Sequence, residues 1–418
     1  MTTEAASART IGQRFAEARK ARGITQEVAA EHIGVSRPTF IALEKGERAA
    51  KPGEIIKLAA LYGYHVSHFV RTMEPLTDFQ PHFRAAMEKV KPADVEKLKA
   101  AIGNFKKFVE NYIDLERRMK APMRLNYPQP VELNPRVNVS ELAEDVANQE
   151  RQRLGLGDQP IPNIRSILEL DVGVRIFFAS LPRMFAGMYI FVDGLGGCML
   201  INSVHPADKQ RASIAHEYAH LIVDRYTAGI DYLTTNGRKP PNERFAESFA
   251  MGFLMPASSV RLRFNEVVNT TGNFQVGDLV RLKHQFSVSL EAMALRLESL
   301  GLLKQGTWEL QKESRLPVRE AEKHLGLVTD ISPEAAYPDR YKLLAVHACE
   351  RGELTETELA NYLDCDIWEA RRIIQESMLG VEVDGEGGLR SVYADFEVSL
   401  LAPHVGHGPE SNHAGRHS

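Results

Sequence analysis

Cysteine is scarce in this sequence. Its 418 residues hold three, Cys198, Cys349 and Cys365, far apart and without a CxxC pair. That excludes a disulfide scaffold and a thiolate zinc site. Long apolar runs are also missing. The densest, Val174 to Leu181, is interrupted by Arg175 and Ser180, well short of the roughly eighteen residues a transmembrane helix takes. The first nine residues are polar and contain no apolar h-region, so a cleaved signal peptide is not expected. Neither sign of charge dominates, the net being −4, and 44% hydrophobic with 25% charged residues is ordinary globular usage. Wholesale disorder and fibrous repeats are thereby excluded. The expectation is a soluble, cytoplasmic protein of a reducing compartment with no membrane contact.

The length is roughly three domains' worth of chain. Charge is unevenly spread: residues 1–70 carry ten Lys/Arg against seven Glu, a mild excess that permits phosphate contact without demonstrating it. Residues 10–70 read as short helices punctuated by Gly23, Gly34, Gly46 and Pro52. Residues 71–135 form a connector containing one long charged helix, Asp94 to Met119, and closing on Pro122, Pro128, Pro130 and Pro135. In that helix Val95, Leu98, Ile102, Phe105, Val109 and Tyr112 step by threes and fours. The seam fits either packing within its own domain or a coiled-coil homodimer. Residues 136–305 read as α+β, with strands near Val174–Phe178, Met188–Val192 and Cys198–Asn202 and helices around them. Residues 306–402 are helical, and the Gly/Pro/His-rich tail 403–418 is expected to be disordered. The fold class is mainly α with a small antiparallel sheet.

The run Ile24 to Glu47 carries the first functional pattern. Helix two is expected to turn Val28, Ala29 and Ile33 inward, and Gly34 takes a corner that a Cβ would obstruct. Ser36 caps a third helix whose first residues, Arg37, Pro38 and Thr39, face outward, as a helix-turn-helix presents them to the major groove. Arg37 offers a fork to guanine, and Thr39 suits a thymine methyl or a phosphate. Thr25-Gln-Glu, Gly34-Val-Ser and Leu43-Glu-Lys-Gly-Glu-Arg48 give residues 11–70 a resemblance to the lambda-repressor/Cro-like (Xre) helix-turn-helix family. That resemblance implies that Gln26 buttresses the DNA-backbone contact and that Arg37, Thr39 and Lys45 face a double-stranded operator.

The second pattern is His216-Glu-Tyr-Ala-His220, an HExxH. On a helix the two imidazoles share a face one turn apart and can converge on zinc, with Glu217 placed as general base. The motif alone is weak. Downstream, the amphipathic segment Asn242 to Pro256 offers Glu243 and Glu247 at i and i+4, either of which can supply a third ligand. Residues 160–300 resemble the ImmA/IrrE family of gluzincin-like metallopeptidases through Arg211 to His220, the strand ending Leu200-Ile-Asn202, and the Glu-x-x-Ala-x-x-Phe-Ala-x-x-Phe-Leu-Met-Pro run. The resemblance implies Zn2+ held by His216, His220 and Glu243, with Glu217 catalytic. It places Glu247 in a supporting position usually Asn or Asp, and Asp224 where many members carry a further His.

Other features are less specific. His404, His407, His413 and His417 suit a solvated tail better than a metal site, Cys198 reads as a small core residue, and Gly194 to Gly197 reads as a turn between strands. Two functions remain in view. One is a DNA-binding transcriptional regulator with a zinc endopeptidase domain that cleaves a regulatory protein or its own linker. The other is a regulator whose peptidase-like domain senses a ligand, a metal or single-stranded DNA without proteolysis.

Overall fold

The computed structural model describes residues 8–62, 66–70, 91–134, 136–192, 196–226, 229–232, 239–313, 317–327, 335–378, 381–383 and 389–391. The stretch 71–90, residues 194–195 of the expected turn, and the tail 403–418 lie outside the described residues.

The first unit is built from α1 (Ala8–Ala21), α2 (Gln26–Ile33), α3 (Arg37–Glu44), α4 (Pro52–Tyr62) and α5 (Val66–Val70) around Phe15, Ala29, Ile33, Phe40, Leu43, Leu58 and Phe69. Thr25 caps α2 by accepting from the Val28 N–H, Gly34 takes the left-handed conformation (φ 75°), and Ser36 caps α3 by accepting from the Thr39 N–H. At Gly12 an added Cβ would lie 2.3 Å from the Leu43 carbonyl oxygen, so α1 crosses α3 at a distance only glycine allows. One expectation fails here. Val28 is 50% exposed, and Ala29, Ala30 and Ile33 form the inner face. At 100° per residue the stripe through 29, 30 and 33 leaves position 28 on the far side.

The central region begins with α6 (Pro92–Arg118), α7 (Val139–Arg153) and α8 (Ile164–Ile167), which runs into a π-helical turn at Leu168–Val172. There follow β1 (Arg175–Ala179), β2 (Phe185–Val192), β3 (Gly196–Asn202), α9 (Ala207–Val223), β4 (Gly229–Tyr232), α10 (Pro241–Leu254), α11 (Ala257–Thr271), α12 (Val276–Phe286) and α13 (Leu290–Ser299). The sheet order is β1-β3-β2-β4, and the small sheet expected to be antiparallel is mixed, because β1 runs parallel to β3. The short connection 180–184 only reverses the chain, so β2 opposes β1, and β3 then slots between them in the direction of β1. Asn202, fully buried, pins that connection: its Oδ1 accepts from the Leu181 N–H at 3.1 Å and its Nδ2 donates to the Phe185 carbonyl at 2.8 Å.

The sheet separates two cores. Ile176, Phe178, Tyr189, Met199 and Ile201 pack with α7, α9, α10, α12 and α13. Phe177, Phe185, Met188, Ile190, Cys198 and Leu200 pack with α6 and the C-terminal helices α16 (Asp339–Glu350), α17 (Glu356–Leu363) and α18 (Ile367–Met378). The α6 seam of Leu98, Ile102, Phe105, Val109 and Tyr112 is therefore buried inside one chain, with Phe105 edge-on to Phe177 at 5.7 Å. Two shorter helices, α14 (Thr307–Glu313) and α15 (Val318–His324), lie between, and a hairpin of β5 (Val381–Val383) and β6 (Leu389–Ser391) follows α18. Glu116 of α6 joins Arg175 of β1 (2.8 Å) and Arg340 of α16 (2.7 Å) in a charge cluster between these layers. The proline-rich stretch after α6 is strapped down: Tyr127 donates to the Gly173 carbonyl and accepts from the Gly197 N–H, and the Val131 N–H donates to the Ile222 carbonyl.

The α2–α3 construction recurs at α17–α18. Thr355 caps α17, Asp364 stands left-handed (φ 53°) where Gly34 stands, and Asp366 accepts from the Glu369 N–H as Ser36 does from Thr39. Leu359, Ala360, Leu363, Ala370 and Ile373 are buried in the places of Ala29, Ala30, Ile33, Phe40 and Leu43.

Candidate metal centre and DNA-facing surface

Helix α9 enters the interior with its last three turns, residues 213–222, buried. This places His216 and His220, each 7% exposed, on one face under the first turn of α10. Phe245, Phe249 and Phe253 anchor α10 in the core and hold Glu243 over the two rings. The His216 and His220 Nε2 atoms stand 3.2 Å apart. His216 Nε2 lies 3.3 Å from Glu243 Oε2, and His220 Nε2 lies 3.7 Å from Glu243 Oε1. Ligands about 2.05 Å from a tetrahedral zinc are separated by about 3.3 Å. The imidazole nitrogens and the nearer Glu243 oxygen to each thus stand about as far apart as zinc ligands do, in a cluster whose ligand atoms all fall within 4.8 Å of one another. Two imidazoles and one carboxylate make a donor set that fits a divalent zinc ion.

Burial alone would raise the Glu243 pKa, but the hydrogen bond with His216 and the charges of both histidines outweigh it and hold the carboxyl below its usual range. Asp224, just past the end of α9, contacts His220 Nδ1 at 3.4 Å and accepts from the Asn242 amide at 2.8 Å. Its pKa is lowered first by the His220 hydrogen bond and then, against burial, by the Asn242 bond. Glu217 is fully buried. Its carboxylate lies against β2, where a Cβ on Gly187 would fall 2.9 Å from Oε1. Glu247 is not brought to the histidines: it is exposed and ion-paired with Lys239. Glu243 and Glu247 stand at i and i+4, but past the first turn α10 meets α9 through Phe249 and Phe253 on Tyr218, and Glu247 faces away. Among the described residues, His216, His220 and Glu243 are the single cluster of such ligands. Sequence reasoning missed the part played by Gly187 and by Asn242. The usable signals were the glycine inside a strand and the residue next to Glu243.

Strand β2 lies inside the sheet, paired with β3 over Gly187–Val192 and with β4 over Phe185–Tyr189, so Met188 and Tyr189 offer no free edge to a substrate strand.

In the first unit, Ser36 and Arg37 are exposed at the start of α3, Thr39 sits one turn in with its hydroxyl 2.7 Å from Ser36 Oγ, and Lys45 is exposed at the far end of the helix. Gln26 donates to Glu44 at 2.7 Å, and Arg19 holds the same carboxylate at 2.6 Å. Gln26 and Arg37 line one hollow with Arg19, Thr25 and Glu27. The second unit differs where it matters for DNA. Ile367, Trp368 and Glu369 stand where Arg37, Pro38 and Thr39 stand, and Arg371 and Arg372 are paired with Glu356, Glu369 and Glu376.

A buried HExxH helix crossed by a glutamate-bearing helix defines a metallopeptidase-type centre, beside an all-α helix-turn-helix. Comparison with known families agrees. Residues 170–298 match the family model of the IrrE N-terminal-like domain, and residues 15–69 match that of the helix-turn-helix. The chain joins an Xre-like helix-turn-helix DNA-binding domain to an IrrE/ImmA-like domain of the metallopeptidase family. Among solved structures, ComR from Streptococcus suis is 12% identical over 89% of each chain, with a TM-score of 0.15. PlcR from Bacillus thuringiensis, in complex with the peptide PapR7 and DNA, is 12% identical over 89% of this chain and 99% of that one, again at 0.15. No curated protein matches the chain. No helix among the described residues is long and apolar enough to cross a membrane.

Proposed function

We propose that this protein is a transcriptional regulator that binds a double-stranded DNA operator through residues 10–70 and acts as a zinc-dependent endopeptidase through residues 136–305. The observation that carries the peptidase reading is the convergence of His216, His220 and Glu243 in one cluster of possible metal ligands beside Glu217. Zinc held there supplies a Lewis acid that polarises a carbonyl and acidifies water. Glu217 moves the proton, taking it from the attacking water and returning it to the leaving amine. A substrate chain would pair in extended form with the outer edge of β4, the last strand in the described sheet order. Because residues 121–134 are strapped to the domain through Tyr127 and Val131, a partner regulatory protein suits the site better than this stretch of linker.

On the DNA side, Arg37 reads a base edge and Thr39 and Lys45 contact bases or phosphates. Gln26 and Ser36 hold the reading helix in place. A second reading, a non-proteolytic sensor of a ligand, a metal or single-stranded DNA, is favoured by one fact: the Glu217 side chain is fully buried. Metal analysis of the full-length protein decides first. About one equivalent of zinc is expected, lost in His216→Ala, and a protein that binds no zinc sinks the peptidase reading. Cleavage of a candidate repressor by the zinc-loaded protein then separates peptidase from sensor.

A further inference from the structure

Two acidic groups, Asp224 and Glu243, meet where α9 ends and α10 begins, and Asp224 has no role among the ligands. Asp224 contacts His220 Nδ1 at 3.4 Å, and the same Oδ2 accepts from Asn242 Nδ2 at 2.8 Å. Asn242 directly precedes Glu243, so a single carboxylate oxygen links the last ligand of α9 to the first turn of α10. The place is electrostatically poor for an acid. The C-terminal end of a helix carries partial negative charge, and Asp224 also acts on Glu243 as a like charge. Two half-buried carboxyl groups beside two imidazoles make a donor environment suited to a divalent cation.

We propose that Asp224 is a positioning residue that clamps His220 and Asn242 and so sets the affinity of the His216–His220–Glu243 site for zinc. The inference rests on the zinc reading of that site. By accepting from Nδ1–H, Asp224 fixes the His220 tautomer with its Nε2 lone pair toward His216 and Glu243, and it makes that nitrogen more basic. Asn242 acts through Asp224: it spares the carboxylate full desolvation and locks α10 in register with α9.

The test is zinc affinity in the full-length protein, measured by competition with a chromophoric chelator. Asp224→Asn keeps the shape and removes the charge, and weaker binding by roughly 10–100-fold is expected. Asp224→His, the residue of the resembling family, should lie between this variant and the wild type. Asn242→Ala should weaken binding less than Asp224→Asn. In the double variant it should add nothing, since its path to the metal is gone. Unchanged operator binding and circular dichroism serve as the fold control. Wild-type protein that binds zinc, with Asp224→Asn and Asp224→Ala binding it equally tightly, overturns the clamp and leaves the metal site standing. Wild-type protein that binds no zinc overturns both, and the two failures are told apart by the wild-type titration alone.

Discussion

Glu217 and Gly187 meet across the boundary between α9 and β2, and chemistry at this scale turns on a few tenths of an ångström. Glu217→Gln keeps the shape of the side chain and removes its basicity. Zinc should remain bound while hydrolysis falls by roughly 10²–10⁴-fold, checked by metal content and turnover on the same preparation. Gly187→Ala is subtler. Its Cβ would sit 2.9 Å from Glu217 Oε1, 3.2 Å from Ile201 Cδ1 and 3.3 Å from Glu217 Cγ. The carboxylate is the softest of these neighbours and must move. Turnover should drop by up to roughly 10²-fold, as for an ångström-scale misplacement, with zinc content unchanged; equal turnover in the two proteins would show that Glu217 tolerates the shift. The ligands His216, His220 and Glu243 were legible in the sequence because helical spacing puts i and i+4 on one face. Spacing also offered Glu247, which the structure leaves exposed beside Lys239. Nothing along one helix says which of its turns meets another, and the same limit hid Gly187 and Asn242.

At the scale of elements, two helix pairs of one construction carry opposite surface chemistry. Arg37→Ala should weaken operator binding by about 1–3 kcal/mol and relax one base preference if its contact is bidentate. Arg371→Ala with Arg372→Ala should leave operator affinity unchanged, because both guanidiniums are already paired with carboxylates. A mobility-shift titration checks both, and a loss in the double variant would assign DNA contact to α18. The turn grammar of the first pair was readable because Thr25, Gly34 and Ser36 are each the residue their position demands. The second pair was only faintly visible, since Asp364 takes the left-handed corner in place of glycine. Helix α11 was not foreseen: its Ala-Ser-Ser start and Asn-Thr-Thr end read as turn chemistry, and only Ser259 and Val260 are buried. The α6 seam was legible as a seam but not in its partner, since apolar residues at threes and fours fit a second chain or a sheet equally. Phe105→Ala discriminates. It should cost about 3–5 kcal/mol of stability with no change of mass in sedimentation, whereas a fall in mass would restore the coiled coil.

Across the whole molecule, the three cores are not equally independent. The core of α1 to α5 closes on itself, and among the described residues Glu17 of α1 is ion-paired with Lys106 of α6 at 3.1 Å, partly exposed. Such a pair contributes about 0–1 kcal/mol, so this contact by itself would not couple the unfolding of the two units. The other two cores lie on opposite faces of one sheet, and neighbouring residues of β1, Ile176 and Phe177, point into one and the other. Losing either core would strip a face from the same strands, so residues 92–378 should unfold as one unit. Calorimetry of the full-length protein should therefore show two transitions. Zinc binds only the folded site and stabilises it by RT ln(1 + [L]/Kd), about 2.7 kcal/mol at a hundredfold excess over Kd. For a unit this large that is a rise of a few degrees in Tm, reversed by a chelator and confined to the transition of residues 92–378. An operator duplex should move the other transition alone. A single transition, or two that both shift with zinc, would mean that the DNA-binding unit and the metal centre are coupled through residues 71–91.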